Sequence, residues 1–118
     1  MKTNFIKNMI LLVAALSVMH VGAQDWANLK RFQKENEMLS IKTKEEKRVV
    51  FMGNSITEGW KNSHPEFFNK NPYICRGISG QTTAQILGRF DAHIAPLQPQ
   101  VMILQLGIND LRDMPMFP

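Results

Sequence analysis

Three short apolar runs punctuate the chain: residues 49–52 (VVFM), 73–75 (YIC) and 101–106 (VMILQL). Each is brief, rich in β-branched or aromatic residues and followed closely by glycine, which predicts three buried strands. Helical spacing fills the gaps. From GNSITEGW the pattern is helix-like to about Trp60, and residues 62–71 read as a loop broken at His64-Pro65, with Phe67 and Phe68 turned inward. Residues 82–94 (TTAQILGRFDAHI) give the clearest helix. Ile86, Leu87, Phe90 and Ile94 share one face, Thr82 or Thr83 supplies the cap and Pro96 the stop. Upstream, residues 25–40 (DWANLKRFQKENEMLS) predict a surface helix capped by Asp25, with Trp26, Leu29 and Phe32 as a partial apolar stripe. Residues 41–48, rich in Lys and Glu, read as a solvated connection.

Strand, helix, strand, helix, strand is the order of a parallel α/β sheet. Such sheets bind ligands beyond the carboxyl ends of their strands. Three turns fall just there: GNS at 53–55, GISG at 77–80 and GIND at 107–110. If the strands are parallel neighbours, Ser55, Gly80 and Asn109 meet at one rim.

Composition changes this picture mainly at the N-terminus. Residues 1–23 combine Lys2 and Lys7, an apolar core from Met9 to Val18, and small residues at 21–23, the pattern of a secretory signal peptide cleaved after Ala23. The apolar core is short for a membrane span. The expected product is secreted or periplasmic, without a stable membrane anchor after cleavage. Removing Lys2 and Lys7 lowers the charge excess from four to two. The remaining Lys and Arg are scattered without an aromatic stripe, which argues against a nucleic-acid partner. The single cysteine, Cys75, excludes an internal disulfide and reads as core. No Cys/His spacing suits zinc, so neither a metal nor a cofactor is expected.

The rim residues suggest a chemistry. A neutral serine attacks an ester only when a base takes its proton and donors hold the oxyanion. The Ser55 N–H stands at a strand-to-helix turn, where N–H groups point outward. Gly80 can bring its N–H close to a ligand because it lacks a side chain, and Asn109 can add a side-chain NH2. Each residue also has a plainer reading: Ser55 as a helix N-cap, Gly80 as a turn glycine, Asn109 as a turn asparagine.

The blocks GNSITEGW, RGISGQTTAQILGRF and LQLGIND, within residues 46–111, resemble the first three conserved blocks of the SGNH or GDSL-like esterase/lipase superfamily, in particular its platelet-activating-factor acetylhydrolase-like branch and bacterial secreted acylhydrolases. The resemblance implies a flavodoxin-like three-layer α/β/α fold with a parallel sheet in strand order 2-1-3-4-5, of which about three of five strands are present. It also implies Ser55 as nucleophile, with Gly80, Asn109 and the Ser55 N–H as oxyanion-hole donors. Asn54 stands where the family usually has Asp and is assigned no catalytic role. The resulting organisation is a signal peptide (1–23), an N-terminal helix and connection (24–46) and the N-terminal part of a hydrolase domain (47–118).

One block of the resemblance is missing. The family's later Asp-x-x-His, which carries the general base, does not occur in these 118 residues. His20 lies in the signal peptide, and His64 and His93 read as surface histidines. The expectation is therefore the N-terminal part of a secreted esterase of small carboxylic esters, such as sugar O-acetyl or short acyl esters, with little activity as written and residues 101–106 left as an open sheet edge. The alternative is a non-catalytic ligand- or glycan-binding remnant of the same fold. A flavin or nucleotide protein is disfavoured, since no G-x-G-x-x-G or P-loop follows a strand.

Overall fold

In the computed structural model, residues 2–10, 25–39 and 46–114 are described. The apolar core and cleavage site of the signal sequence lie largely outside these residues, as does most of the 41–48 connection. Residues 2–10 are helical (α1). The remaining elements are α2 (Gln33–Met38), β1 (Val49–Gly53), α3 (Ser55–Ser63), α4 (Pro65–Asn69), β2 (Tyr73–Gly77), α5 (Thr83–Gly88), α6 (Phe90–His93), a 3-10 turn (Ala95–Leu97), β3 (Val101–Gln105) and α7 (Ile108–Asp113).

All three apolar runs form strands, and they pair in parallel in the order β2-β1-β3. Central β1 is buried on both sides, and its two-residue alternation sorts two cores. Val50 and Met52 pack with Ile86, Ile94 and Leu97 on one face. Phe51 packs with Phe68 and Cys75 on the other, with Val49, Phe67 and Tyr73 around them. Helices α3 and α4 thus cover one face, while α5, α6 and the 3-10 turn cover the other, giving an α/β sheet sandwiched between helical layers. Phe67 and Phe68 do turn inward, and their rings pack edge-on at 5.2 Å.

Several local expectations need correction. Residues 25–32 are turns rather than helix, and only Gln33–Met38 is helical. Asn28 takes a left-handed φ of 59°, which ends any helix there. The expected loop at 62–71 holds the last turn of α3 and all of α4, because Pro65 occupies the first turn of a new helix, where its missing N–H costs nothing. The expected 82–94 helix breaks at Arg89 (φ −104°, ψ 4°), after Gly88. Leu87 is consequently 64% exposed rather than core-facing. His93, read as a surface histidine, is fully buried: Arg89 approaches its Nδ1 at 3.3 Å and its Nε2 meets the Leu29 carbonyl at 2.8 Å. His64 is exposed as expected. Among the described residues β3 lies at the sheet edge, and Val101, Ile103 and Leu104 are about half exposed.

Candidate active site

Register aligns the ends of the strands. Gly53 pairs with Gly77 on one side and Gln105 on the other. Ser55, Gly80 and Asn109 therefore lie two, three and four residues beyond a common level on strands about 4.8 Å apart. The chain passes from β1 to β2 on one side and then to β3 on the other. The resulting switch point, between the carboxyl ends of β1 and β3, is where open α/β sheets bind ligands. Ser55 follows β1 and Asn109 follows β3.

Asn54, and not Ser55, caps α3. The Asn54 side chain accepts the Ile56 N–H at 3.1 Å and is completely buried. Ser55 is the first helical residue; it is exposed, and its hydroxyl makes no hydrogen bond among the described residues. The plainer reading of Ser55 as a cap is thereby removed. Asparagine is as good a cap as serine, so the order Asn-Ser allowed either residue to cap.

Glycine brings α3 onto the sheet. A Cβ on Gly77 would run into the Glu58 backbone nitrogen and lie 2.9 Å from the Thr57 carbonyl carbon, so the first turn of α3 packs directly against the end of β2. Gly80 adopts φ +79° with open space where a side chain would stand. Only glycine enters that conformation without cost, and the bare loop leaves its N–H accessible. Among the described residues neither the Ser55 nor the Gly80 N–H has a backbone acceptor.

The 77–83 loop is braced from both flanking segments. From the first block, the Gly53 carbonyl accepts the Ile78 N–H at 3.0 Å. Glu58 accepts the Ser79 N–H at 2.9 Å and also the Ser79 hydroxyl. From the third block, Asn109 Nδ2 donates to the Gln81 carbonyl at 2.8 Å, leaving its second amide hydrogen. Asp110 accepts the Thr83 N–H at 2.9 Å and the Thr83 hydroxyl at 2.8 Å. Those Thr83 bonds hold the Asp110 carboxyl below its usual value.

Arg89 ties the segments from beneath. Its buried guanidinium donates to the Gly53 carbonyl at 3.0 Å and to Gln81 Oε1 at 2.6 Å. Burial lowers its pKa to about 10, so it remains charged at neutral pH. Burial likewise lowers the His93 pKa. With Nε2–H donated to Leu29, neutral His93 presents Nδ1 as an acceptor to Arg89. Glu58, Gln81, Arg89 and Asp110 were not singled out in the sequence, because their partners are set by the tertiary arrangement.

Neither buried His93 nor His64, whose Nδ1 meets the Ser63 hydroxyl at 2.9 Å, stands as a base for Ser55. Cys75 is no substitute nucleophile; burial, the largest influence on it, raises its thiol pKa, and its Sγ faces the Thr57 carbonyl. Among the described residues no group of three His, Cys, Asp or Glu side chains is arranged to hold a metal ion.

Comparisons with known proteins agree with the sequence resemblance. The sequence profile of the GDSL-like lipase/acylhydrolase family matches residues 51–116. The structure resembles a provisionally assigned acylhydrolase from Bacteroides fragilis, with 53% identity and a TM-score of 0.71 over 74% of this chain and 42% of that one. It also resembles a GDSL-like lipase from Bacteroides thetaiotaomicron, with 52% identity and a TM-score of 0.70 over 73% of this chain and 42% of that one. The chain thus spans less than half the length of these two proteins. A comparison with curated proteins finds no match.

Proposed function

The chain belongs to the GDSL-like lipase/acylhydrolase family, a family of ester hydrolases, and on that premise we propose that it supplies the nucleophile and oxyanion donors of a secreted serine acylhydrolase. The observation that carries this reading is the division of labour at 54–55. Asn54 does the capping, and the Ser55 hydroxyl is left exposed at the end of the central strand.

In the proposed reaction, Ser55 Oγ attacks the ester carbonyl carbon and its proton passes to a base. The carbonyl oxygen becomes an oxyanion facing the N–H groups of Ser55 and Gly80 and the remaining amide hydrogen of Asn109. Collapse breaks the bond to the alcohol, which leaves with a proton, and acyl-Ser55 is then hydrolysed by water. Each donor contributes roughly 3–4 kcal/mol in the transition state. Substrates are small carboxylic esters, such as sugar O-acetyl or short acyl esters. Cleavage after Ala23 delivers the protein outside the cytoplasm, and N-terminal sequencing of exported material then begins at Gln24.

The base is not among the described histidines, so these residues acylate slowly by themselves; general-base help is ordinarily worth 10²–10⁴-fold. The test supplies a base from solution. With p-nitrophenyl acetate and added imidazole, mass spectrometry is expected to find an acetyl adduct on the Ser55 peptide, absent in Ser55→Ala. Adducts confined to lysines, or p-nitrophenolate release above the imidazole-only rate that is equal in the Ser55→Ala variant, contradict the assignment.

A further inference from the structure

The pairing of β1 with β3 ends at Gly53 and Gln105, and beyond that level the chain leaves the sheet as two segments, one carrying Ser55 and the other Asn109. Each segment is tied to the 77–83 loop. Glu58 of α3 accepts the Ser79 N–H, while Asn109 donates to the Gln81 carbonyl and Asp110 accepts from Thr83. Among the described residues a single hydrogen bond joins α3 directly to the β3–α7 segment. Thr57 Oγ1, in the first turn of α3, donates to Gln105 Oε1, at the end of β3, at 3.2 Å.

The local sequence makes room for this bond. Gly53 is the cross-strand neighbour of Gln105. A Cβ on Gly53 would collide with Thr57 Oγ1 and lie 2.7 Å from the Gln105 carbonyl oxygen and 3.1 Å from Gln105 Oε1. The hydroxyl and the amide therefore meet in the space that a side chain at position 53 would fill. Thr57 is buried, at 4% exposure, and Gln105 is half-buried. Valine has nearly the shape of threonine and would fill the position if burial alone mattered, so the hydroxyl is the informative group. A helical threonine hydroxyl often bonds a carbonyl one turn back in its own helix. Here it reaches across to β3, two residues from Ser55 in the same turn.

We propose that Thr57 and Gln105 are positioning residues for acyl transfer. Their bond fixes the first turn of α3, and with it Ser55, against the segment that carries Asn109. They act through those two residues rather than on the ester itself. The sheet alone does not set the spacing of nucleophile and donor, because strand pairing stops two residues before Ser55 and four before Asn109. Rates of positioned reactions fall steeply when such spacing slackens. The proposal rests on the reading of Ser55 as nucleophile and Asn109 as oxyanion donor.

The test measures, in the full chain, the rate at which a fluorophosphonate labels Ser55 and the urea midpoint of each variant. Thr57→Val keeps the packing and loses the hydroxyl. Its labelling should slow about fivefold, the equivalent of one hydrogen bond, with little change in midpoint. Thr57→Ser loses the buried methyl and keeps the hydroxyl, so its midpoint should fall while its labelling stays near the parent rate. Gln105→Met removes the same bond from its half-buried side and should slow labelling as Thr57→Val does, which keeps the question open to test should the α3 variant not fold. In an Asn109→Ala background Thr57→Val should add little further slowing, because the donor being positioned is gone. Labelling of Thr57→Val and Gln105→Met at the parent rate, equal slowing in Thr57→Ser, or full multiplication of the Thr57→Val and Asn109→Ala effects overturns the positioning role alone. No label on Ser55 in the parent chain would instead overturn the catalytic reading, and the positioning role with it.

Discussion

Arg89 offers the sharpest test of how the three segments are held together. Its guanidinium is fully buried, makes no ion pair with a described carboxylate, and meets three acceptors: the Gly53 carbonyl, Gln81 Oε1 and His93 Nδ1. In Arg89→Met most of the volume remains and the cost of burying a cation disappears, which alone would stabilise the protein. Against this stand the acceptors left behind. The Gly53 carbonyl keeps the Ile78 N–H at 3.0 Å and is not orphaned. Gln81 Oε1 and His93 Nδ1 lose their donor, at about 1–3 kcal/mol each. The losses outweigh the gain, and Arg89→Met should be destabilised by about 2–4 kcal/mol. Arg89→Ala adds a cavity and should lose about 3–5 kcal/mol. Arg89→Lys keeps a charge but not the fork, and should lose about 1–2 kcal/mol. Urea unfolding followed by circular dichroism measures all three as shifts in midpoint. A Met variant as stable as the parent would refute the reasoning, since Arg89 would then be a tolerated buried charge rather than a tie.

Other consequences are simpler to state. Asn54→Ala removes the α3 cap and should cost about 1 kcal/mol in thermal unfolding, whereas Ser55→Ala should cost almost nothing, because the capping bond belongs to Asn54. Gly77→Ala forces a Cβ against the α3 backbone and should destabilise by about 1–3 kcal/mol; a neutral result would mean that α3 does not rest on β2. His93 is held neutral when folded, mainly by burial, while the unfolded chain protonates it near 6.5. Stability should therefore be full above that pH and fall as the pH drops below it, and His93→Gln should flatten that decline.

The parts of this fold that are local were legible in the sequence. Apolar runs followed closely by glycine marked all three strands, since a strand of a parallel sheet carries its signal in a few consecutive apolar residues; β3 keeps that signal although it is about half exposed among the described residues. Ser55, Gly80 and Asn109 were legible for a related reason: each sits in a short block immediately after such a strand. The turn at 25–32 was not legible, because a helical apolar spacing was overridden by Gln81 and Gln85, which hold the Trp26 and Ala27 carbonyls from more than fifty residues away. His93 read as a surface histidine, and Arg89 was not singled out, for the same cause. Their burial is made possible by acceptors on β1, on the 77–83 loop and on the N-terminal turn, none of which is a sequence neighbour. The break after Gly88 then follows, since an uninterrupted helix keeping Leu87 inward would not leave Arg89 beneath Gly53. The order Asn54-Ser55 was open to either capping assignment, and the structure decides for asparagine.

The central claim is that residues from three distant segments serve one hydroxyl. Its most direct measurement is the rate at which a fluorophosphonate labels Ser55, located by peptide mass spectrometry, in the parent chain and in Asn109→Ala of verified secondary structure. The phosphonyl oxygen occupies the place of the oxyanion. The account predicts label on Ser55 and a rate at least tenfold lower in Asn109→Ala, a cautious fraction of what one donor is worth in acyl transfer. Label on another serine, or an unchanged rate at Ser55 without the Asn109 amide, would contradict it.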